Sequence, residues 1–252
     1  MKQPLTDRIA LVTGAAHRVG KAIALALAAE GVHMVVHYYR SGDAAHDTVR
    51  AIKSCGVDAV SFQADQSDPQ QVNDLFDAIR EQFGRLDILV NNASMFRKAD
   101  ILTLPPSEWQ RVLDVNLTGP FLCSQAAARL MLENDPPGGV IINILDNIGR
   151  QPWPQYPHHS VAKAGLRMLS SVMARRLAPA IRVNAVVPGP VLKPARLSND
   201  RWMQVAARLP LGRAGTPEDV ARAVVYLARE DFLTGAELSV DGGEGLIGGS
   251  AA

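Results

Sequence analysis

The stretch that decides the fold is Ile9-Ala10-Leu11-Val12-Thr13-Gly14-Ala15-Ala16-His17-Arg18-Val19-Gly20. An apolar run of strand length enters a turn of small residues. Val19, Ile23 and Leu27 then recur at helical spacing, and Gly31 is placed to end that helix. Small residues in such a turn let the backbone approach a pyrophosphate, and the helix N-terminus brings N–H donors and a positive dipole end. Only Gly14 and Gly20 punctuate the turn, so its weight comes from its place between the first strand and the first helix.

Working outward, further apolar runs follow at Met34–Tyr38, Ala59–Phe62, Ile88–Val90, Val140–Leu145 and Arg182–Val187, with a short last one at Glu237–Val240. Most are continuous rather than alternating, as expected of strands covered on both faces of a parallel sheet. Helical patterns lie between them. Ser107 with Gln110 reads as a capping box, and Thr216-Pro217 as an N-cap with a first-turn proline. Strand and helix alternate without a dividing linker, which predicts one α/β domain over residues 1–252. The expected form is a doubly wound Rossmann fold, a seven-stranded parallel sheet flanked by helices, with ligands at the carboxyl ends of the strands. The proline-rich stretch Pro188–Asp200 suits a loop over the cleft.

Composition narrows the partners. The 252 residues carry 26 Lys plus Arg against 25 Asp plus Glu, a formal charge of +1, and 47% are apolar. That balance speaks against a nucleic-acid surface, and no apolar run approaches the ~20 residues of a membrane span. The first residues lack the pattern of a signal peptide. Cys55 and Cys123 are too few for a disulfide framework, and both fall in helical patterns that suggest burial. His158 and His159 are adjacent, so they diverge on a helix and make no metal pair. A cytoplasmic protein with a small-molecule partner, no metal, no nucleic acid and no membrane is the expectation.

The second strand runs out into Tyr38-Tyr39-Arg40-Ser41, about 20 residues past Gly20, where an acidic residue would hold an NAD ribose. A guanidinium pairs with a 2′-phosphate and a hydroxyl can donate to it, whereas a carboxylate would repel it. With Arg18 as a second cation, this pattern favours NADP.

With these motifs in hand, the chain resembles the short-chain dehydrogenase/reductase family over essentially its whole length. Asp65 stands where the family holds the adenine. Asn91-Asn92-Ala93-Ser94 follows the fourth strand, where the family writes Asn-Asn-Ala-Gly. Asn116, in Asp114-Val115-Asn116, matches the Asn of the catalytic tetrad, and Pro188-Gly189 matches the turn beside the nicotinamide. The resemblance implies a cofactor held by Gly14, His17, Arg18, Val19, Gly20, Tyr39, Arg40, Ser41, Asp65, Asn91, Ala93, Lys163, Pro188 and Gly189. It also implies a homotetramer built on the helices after Asp114 and around Lys163.

Two catalytic positions depart from the family. The family has a Ser, thirteen residues later a Tyr, and four residues later a Lys. Counting back from Lys163 gives His159 in place of Tyr and Asp146 in place of Ser. The Asp, the Asn-Ala-Ser variant and the Tyr-x-Arg-Ser end of the second strand resemble the pteridine reductase branch, in which an aromatic at the position of Phe96 stacks on the pterin. Simple loop packing is the alternative for Phe96. Ser94, Phe96, Asp146 and Trp153 are the substrate-side candidates, Trp153 either bordering a flat substrate or anchoring a lid.

Tyr transfers the proton in this family. His is already poised to exchange a proton near neutral pH, and an Asp opposite it would favour imidazolium. Asp146 with His159 is therefore the first choice of acid for a carbonyl or an imine, with Lys163 and Asn116 organising the site. Tyr156, three residues earlier, is second. A protein that binds NADP without chemistry is third. Against the pterin-type reading stands a 3-oxoacyl or general carbonyl reductase, or a sugar dehydrogenase.

Overall fold

The structure, a computed structural model, describes residues 4–195 and 197–247. Seven strands form one parallel sheet: β1 (Ile9–Val12), β2 (His33–Tyr38), β3 (Ala59–Gln63), β4 (Ile88–Asn91), β5 (Gly139–Ile144), β6 (Ile181–Pro188) and β7 (Glu237–Val240). Their order is β3-β2-β1-β4-β5-β6-β7. The chain reverses direction across the sheet beside β1, where Val12 is in register with Val36 on one side and Val90 on the other. This reversal opens the crevice at the carboxyl ends of β1 and β4.

The period of two along β1 sorts its side chains between two cores. Ala10 and Val12 pack with Ile23 and Leu27 of α1 (Arg18–Ala28) and Val224 of α8 (Pro217–Arg229). Ile9 and Leu11 pack with Leu75 of α3 (Pro69–Phe83), Ala127 of α5 (Gly119–Leu132) and Ala174 of α6 (Pro157–Leu177). β1 and β4 are buried along their full lengths, which explains their unbroken apolar runs. The remaining helices are α2 (Gly42–Lys53), α4 (Pro106–Leu113) and α7 (Asn199–Arg208).

Local signals were realised unevenly. Gly31 follows α1 at φ +82° and donates to Ala28 O, as a helix-ending glycine does. At α8 the Asp219 carboxylate accepts from Thr216 N at 2.8 Å, with Pro217 in the first turn. The Ser107–Gln110 capping box is corrected. Pro106, with its φ already fixed, starts α4 two residues earlier, Pro105 is the N-cap, and Ser107 lies inside the helix. Cys123 is buried in α5, but Cys55 is exposed beyond the end of α2. The loop after β6 runs to Ser198, and its residue 196 lies outside the described residues. Among the described residues no helix is long and apolar enough to cross a membrane.

Candidate active site

The turn after β1 is held from both sides. Thr13 Oγ1 accepts from Asn92 N (2.9 Å) and Ala93 N (3.0 Å), and the Asn92 amide donates to Thr13 O (2.8 Å) and Gly14 O (3.2 Å). Gly14 has φ +64°, and a Cβ there would stand 3.0 Å from Ala93 Cα. A Cβ on Gly20 would stand 2.3 Å from Gly14 O and 2.5 Å from Asn92 Nδ2. Both positions therefore require glycine. Arg18 is an arginine at φ +57°, a backbone region costing a non-glycine residue about 1 kcal/mol.

Above this turn lies a cleft of about 570 Å³. It is lined by Gly14, His17, Arg18, Val19, Gly20, Tyr39, Arg40, Ser41, Ala93, Ser94, Phe96 and Gly189, all singled out in the sequence. Ala16, Tyr38, Asn92 and the run Pro190–Leu192 also line it and were not among the sequence candidates. Asn92 was quoted only as part of its motif, although its amide clamps the turn. Arg18 and Arg40 are exposed and pair with no carboxylate among the described residues. The Arg40 guanidinium lies 4.7 Å over the Tyr39 ring.

Four of the candidate cofactor residues do not line this cleft. Asp65, after β3, accepts from Ser67 N and Oγ at 3.0 and 2.6 Å, with Arg111 3.9 Å away. Asn91 turns its side chain into the interior, donating to Ser124 Oγ and Asn143 Oδ1, both at 2.8 Å. Pro188 ends β6. Lys163 is buried and donates to Ile144 O at 2.7 Å.

Around His159 three segments converge. Asn116 sits in a π-helical turn, Asp114–Thr118, that joins α4 to α5, an insertion of the kind that re-aims a side chain. Its amide clamps residue 95 from both sides: Oδ1 accepts from Met95 N at 2.7 Å and Nδ2 donates to Met95 O at 2.8 Å. Oδ1 also accepts from Ser94 Oγ at 3.2 Å. His159 Nδ1 lies 3.1 Å from Met95 O and 3.0 Å from Asn116 Nδ2. Its Nε2 lies 3.6 Å from Asp146 Oδ2. The other Asp146 oxygen accepts from Ile148 N at 3.1 Å, capping the short turn that follows β5. Nδ1 thus sits between the Met95 carbonyl and the Asn116 amide, which fixes the ring direction, and Nε2 faces a carboxylate that is itself held in place. This is the geometry of a general acid with an oriented ring.

Aromatic rings close the site. Phe96 is half exposed, stacks on Tyr156 (centroids 4.2 Å, 21°) and meets the His159 ring edge-on (4.7 Å, 89°). Trp153 tilts against Tyr156 at 6.1 Å, and its indole N–H is buried with no partner among the described residues. Burial raises the Tyr156 hydroxyl pKa above its ordinary value, which makes it a poorer proton donor than an exposed phenol. Burial also pulls the Lys163 ammonium down to about 8, with Asp146 opposing the shift. Among the described residues no group of three or more His, Cys, Asp or Glu could hold a metal ion.

The cleft fits a dinucleotide on its own terms. Gly14 and Gly20 keep the turn tight against residues 92 and 93, and two guanidiniums with no carboxylate partner among the described residues line the cleft. A family model described as enoyl-(acyl carrier protein) reductase matches residues 14–244. A 3-oxoacyl-(acyl-carrier-protein) reductase from Synechocystis sp. is 39% identical over 243 residues, 95% of this chain and 97% of that protein. The 3beta-hydroxysteroid dehydrogenase 1 of Eggerthella lenta is 38% identical over 258 residues, 99% of this chain and 98% of its own. A short-chain type dehydrogenase/reductase from Mycobacterium marinum has a similar structure, with a TM-score of 0.87 and 35% identity over 95% of each chain. The chain belongs to the short-chain dehydrogenase/reductase family of oxidoreductases.

Proposed function

We propose that this protein is an NADPH-dependent reductase of a carbonyl or pterin-type C=N group, with the Asp146–His159 pair delivering the proton. The observation that carries the reading is the oriented imidazole, its Nδ1 3.1 Å from Met95 O and its Nε2 3.6 Å from Asp146 Oδ2. When bound, a nicotinamide supplies the hydride. The chain's own residues then have separable tasks. Gly14, Gly20 and Asn92 shape the turn that receives the pyrophosphate. Arg18, Arg40 and Ser41 receive the 2′-phosphate. Asp65 stands near the adenine, and Lys163 contributes its positive charge beneath the site. His159 gives up the Nε2 proton to the reduced atom, and Asp146 keeps the ring aligned while the charge changes. Asn116 holds residue 95 and, through it, the imidazole.

Phe96 supports a flat substrate, because it lines the cleft and is half exposed rather than turned away. The relative named for 3-oxoacyl reduction favours a second reading, an acyclic carbonyl substrate at the same pair. The experiment is NADPH oxidation against dihydropterins, dihydrofolate, 3-oxoacyl thioesters and small ketones. Tight NADPH binding with no turnover on the whole panel would support a binding protein and sink the enzyme reading. The exposed apolar residues Phe121 on α5 and Val161, Met168 and Val172 on α6 support an interface between copies on these helices, where the family resemblance puts a homotetramer.

A further inference from the structure

The polar groups of the phosphate turn are satisfied in an uneven way. Thr13 N donates to Val90 O and Ala15 N to His37 O, both at 3.0 Å, while the Asn92 amide takes the Thr13 and Gly14 carbonyls. The remaining donor, Gly14 N, points at the imidazole of His37 and reaches its Nδ1 at 3.2 Å. His37 Nε2 in turn lies 3.0 Å from Ala64 O. One partner is a donor and the other an acceptor, so the ring must be neutral, with its proton on Nε2. Imidazolium could not accept from Gly14. Burial favours the neutral form, since His37 is 2% exposed and its pKa is lowered to about 4.

We propose that His37 is a positioning residue for the dinucleotide, its neutral imidazole bolting the Gly14 turn to the exit of β3. The bolt joins two parts of the cofactor site, because Ala64 precedes Asp65 and Gly14 opens the turn. With Thr13, Gly14 and Ala15 satisfied inside the protein, the N–H groups of Ala16 and His17 are left without a protein partner among the described residues. They and the first turn of α1 are then the donors presented to the pyrophosphate. Removing the imidazole acceptor orphans a donor at a glycine whose φ of +64° depends on being held.

The proposal rests on the cleft binding a dinucleotide, and its test reads binding rather than turnover. NADPH and NADH affinities are measured by fluorescence for the wild type, His37→Phe and His37→Gln. His37→Phe should weaken both nucleotides by the same factor, about tenfold, the effect of one unsatisfied buried donor. His37→Gln, which can both accept and donate, should recover most of the loss. Were His37 only core filler, Phe would serve as well, and affinities within twofold of wild type would overturn the proposal. Should His37→Phe not fold, nitrogen NMR of the wild type decides. A proton on Nε2 and a slowly exchanging Gly14 amide are expected, and a proton on Nδ1 overturns the bolt. A wild type that binds neither nucleotide removes the dinucleotide reading itself, and this proposal with it. That result is distinct from equal binding by wild type and His37→Phe.

Discussion

His159 Nε2 faces Asp146 Oδ2 across 3.6 Å, joining the first turn of α6 to the short turn after β5. In the proposed reading these two residues, which the spacing back from Lys163 puts at the family's Tyr and Ser positions, are an acid and its orienting group. Replacing His159 with Phe should lower kcat by about 100-fold or more, the range of a lost general acid. NADPH affinity should stay nearly unchanged, because His159 does not line the cleft above the phosphate turn. Tyr156→Phe should keep most turnover. Steady-state kinetics of the two variants check the assignment, and a dead Tyr156→Phe would move the acid to the phenol.

Arg40 extends into the cleft over Tyr39 without a carboxylate partner among the described residues. Arg40→Ala should weaken NADPH about tenfold while leaving NADH within about twofold, as expected for one charge-assisted contact to a 2′-phosphate. Titration of both nucleotides checks this. Equal losses would remove the 2′-phosphate argument.

Lys163 is a standing cost to the cofactor-free fold. The folded chain gives up this proton at about pH 8, against an ordinary 10.5. The unfolded chain therefore binds more protons between those values, and stability rises as pH climbs through that window. Below it the buried charge costs about 3 kcal/mol. Lys163→Met should raise the apo-protein's Tm at pH 7, and the advantage should shrink towards pH 10.5. Thermal melts at the two pH values test this, and a destabilised Lys163→Met at pH 7 would contradict it.

His37 acts at the other end of the pH scale. Its folded pKa of about 4 lies below the ordinary 6.5, so the unfolded chain takes up this proton first as pH falls. Stability is lost across that window, about 3 kcal/mol in all, with Asp65 opposing the shift. A Gln at 37 does not titrate, so from pH 7 to pH 4 wild type should lose about that much stability relative to His37→Gln. Urea denaturation at both pH values measures it, and a constant difference would show that His37 is not held neutral.

Much of the framework is legible in short-range patterns. The strand cores, the turn at Gly14 and the spacing back from Lys163 to His159 and Asp146 depend on residues close in the chain, and their periods survive without tertiary knowledge. Errors came where local chemistry had competing solutions. Ser107 and Pro106 both offer a helix start, and the residue with its φ already fixed prevailed. Asn91 belongs to the same motif as Asn92, yet the pleat sends one side chain inward to Ser124 and Asn143 and leaves the other to clamp Thr13 and Gly14.

From the sequence alone follow the doubly wound order of elements, the Gly14–Gly20 turn between β1 and α1, the cationic pair Arg18 and Arg40, and the spacing that links Asp146, His159 and Lys163. The tertiary structure alone decided how they are held. His37 meets Gly14 across 23 residues, Asn116 meets His159 across 43, and Met95 meets His159 across 64. In a parallel sheet each strand returns only after a crossover helix, so neighbours at the strand ends are distant in the chain. No local period records such pairs, and with them come the tautomer of His37, the direction of the His159 ring and the buried state of Lys163.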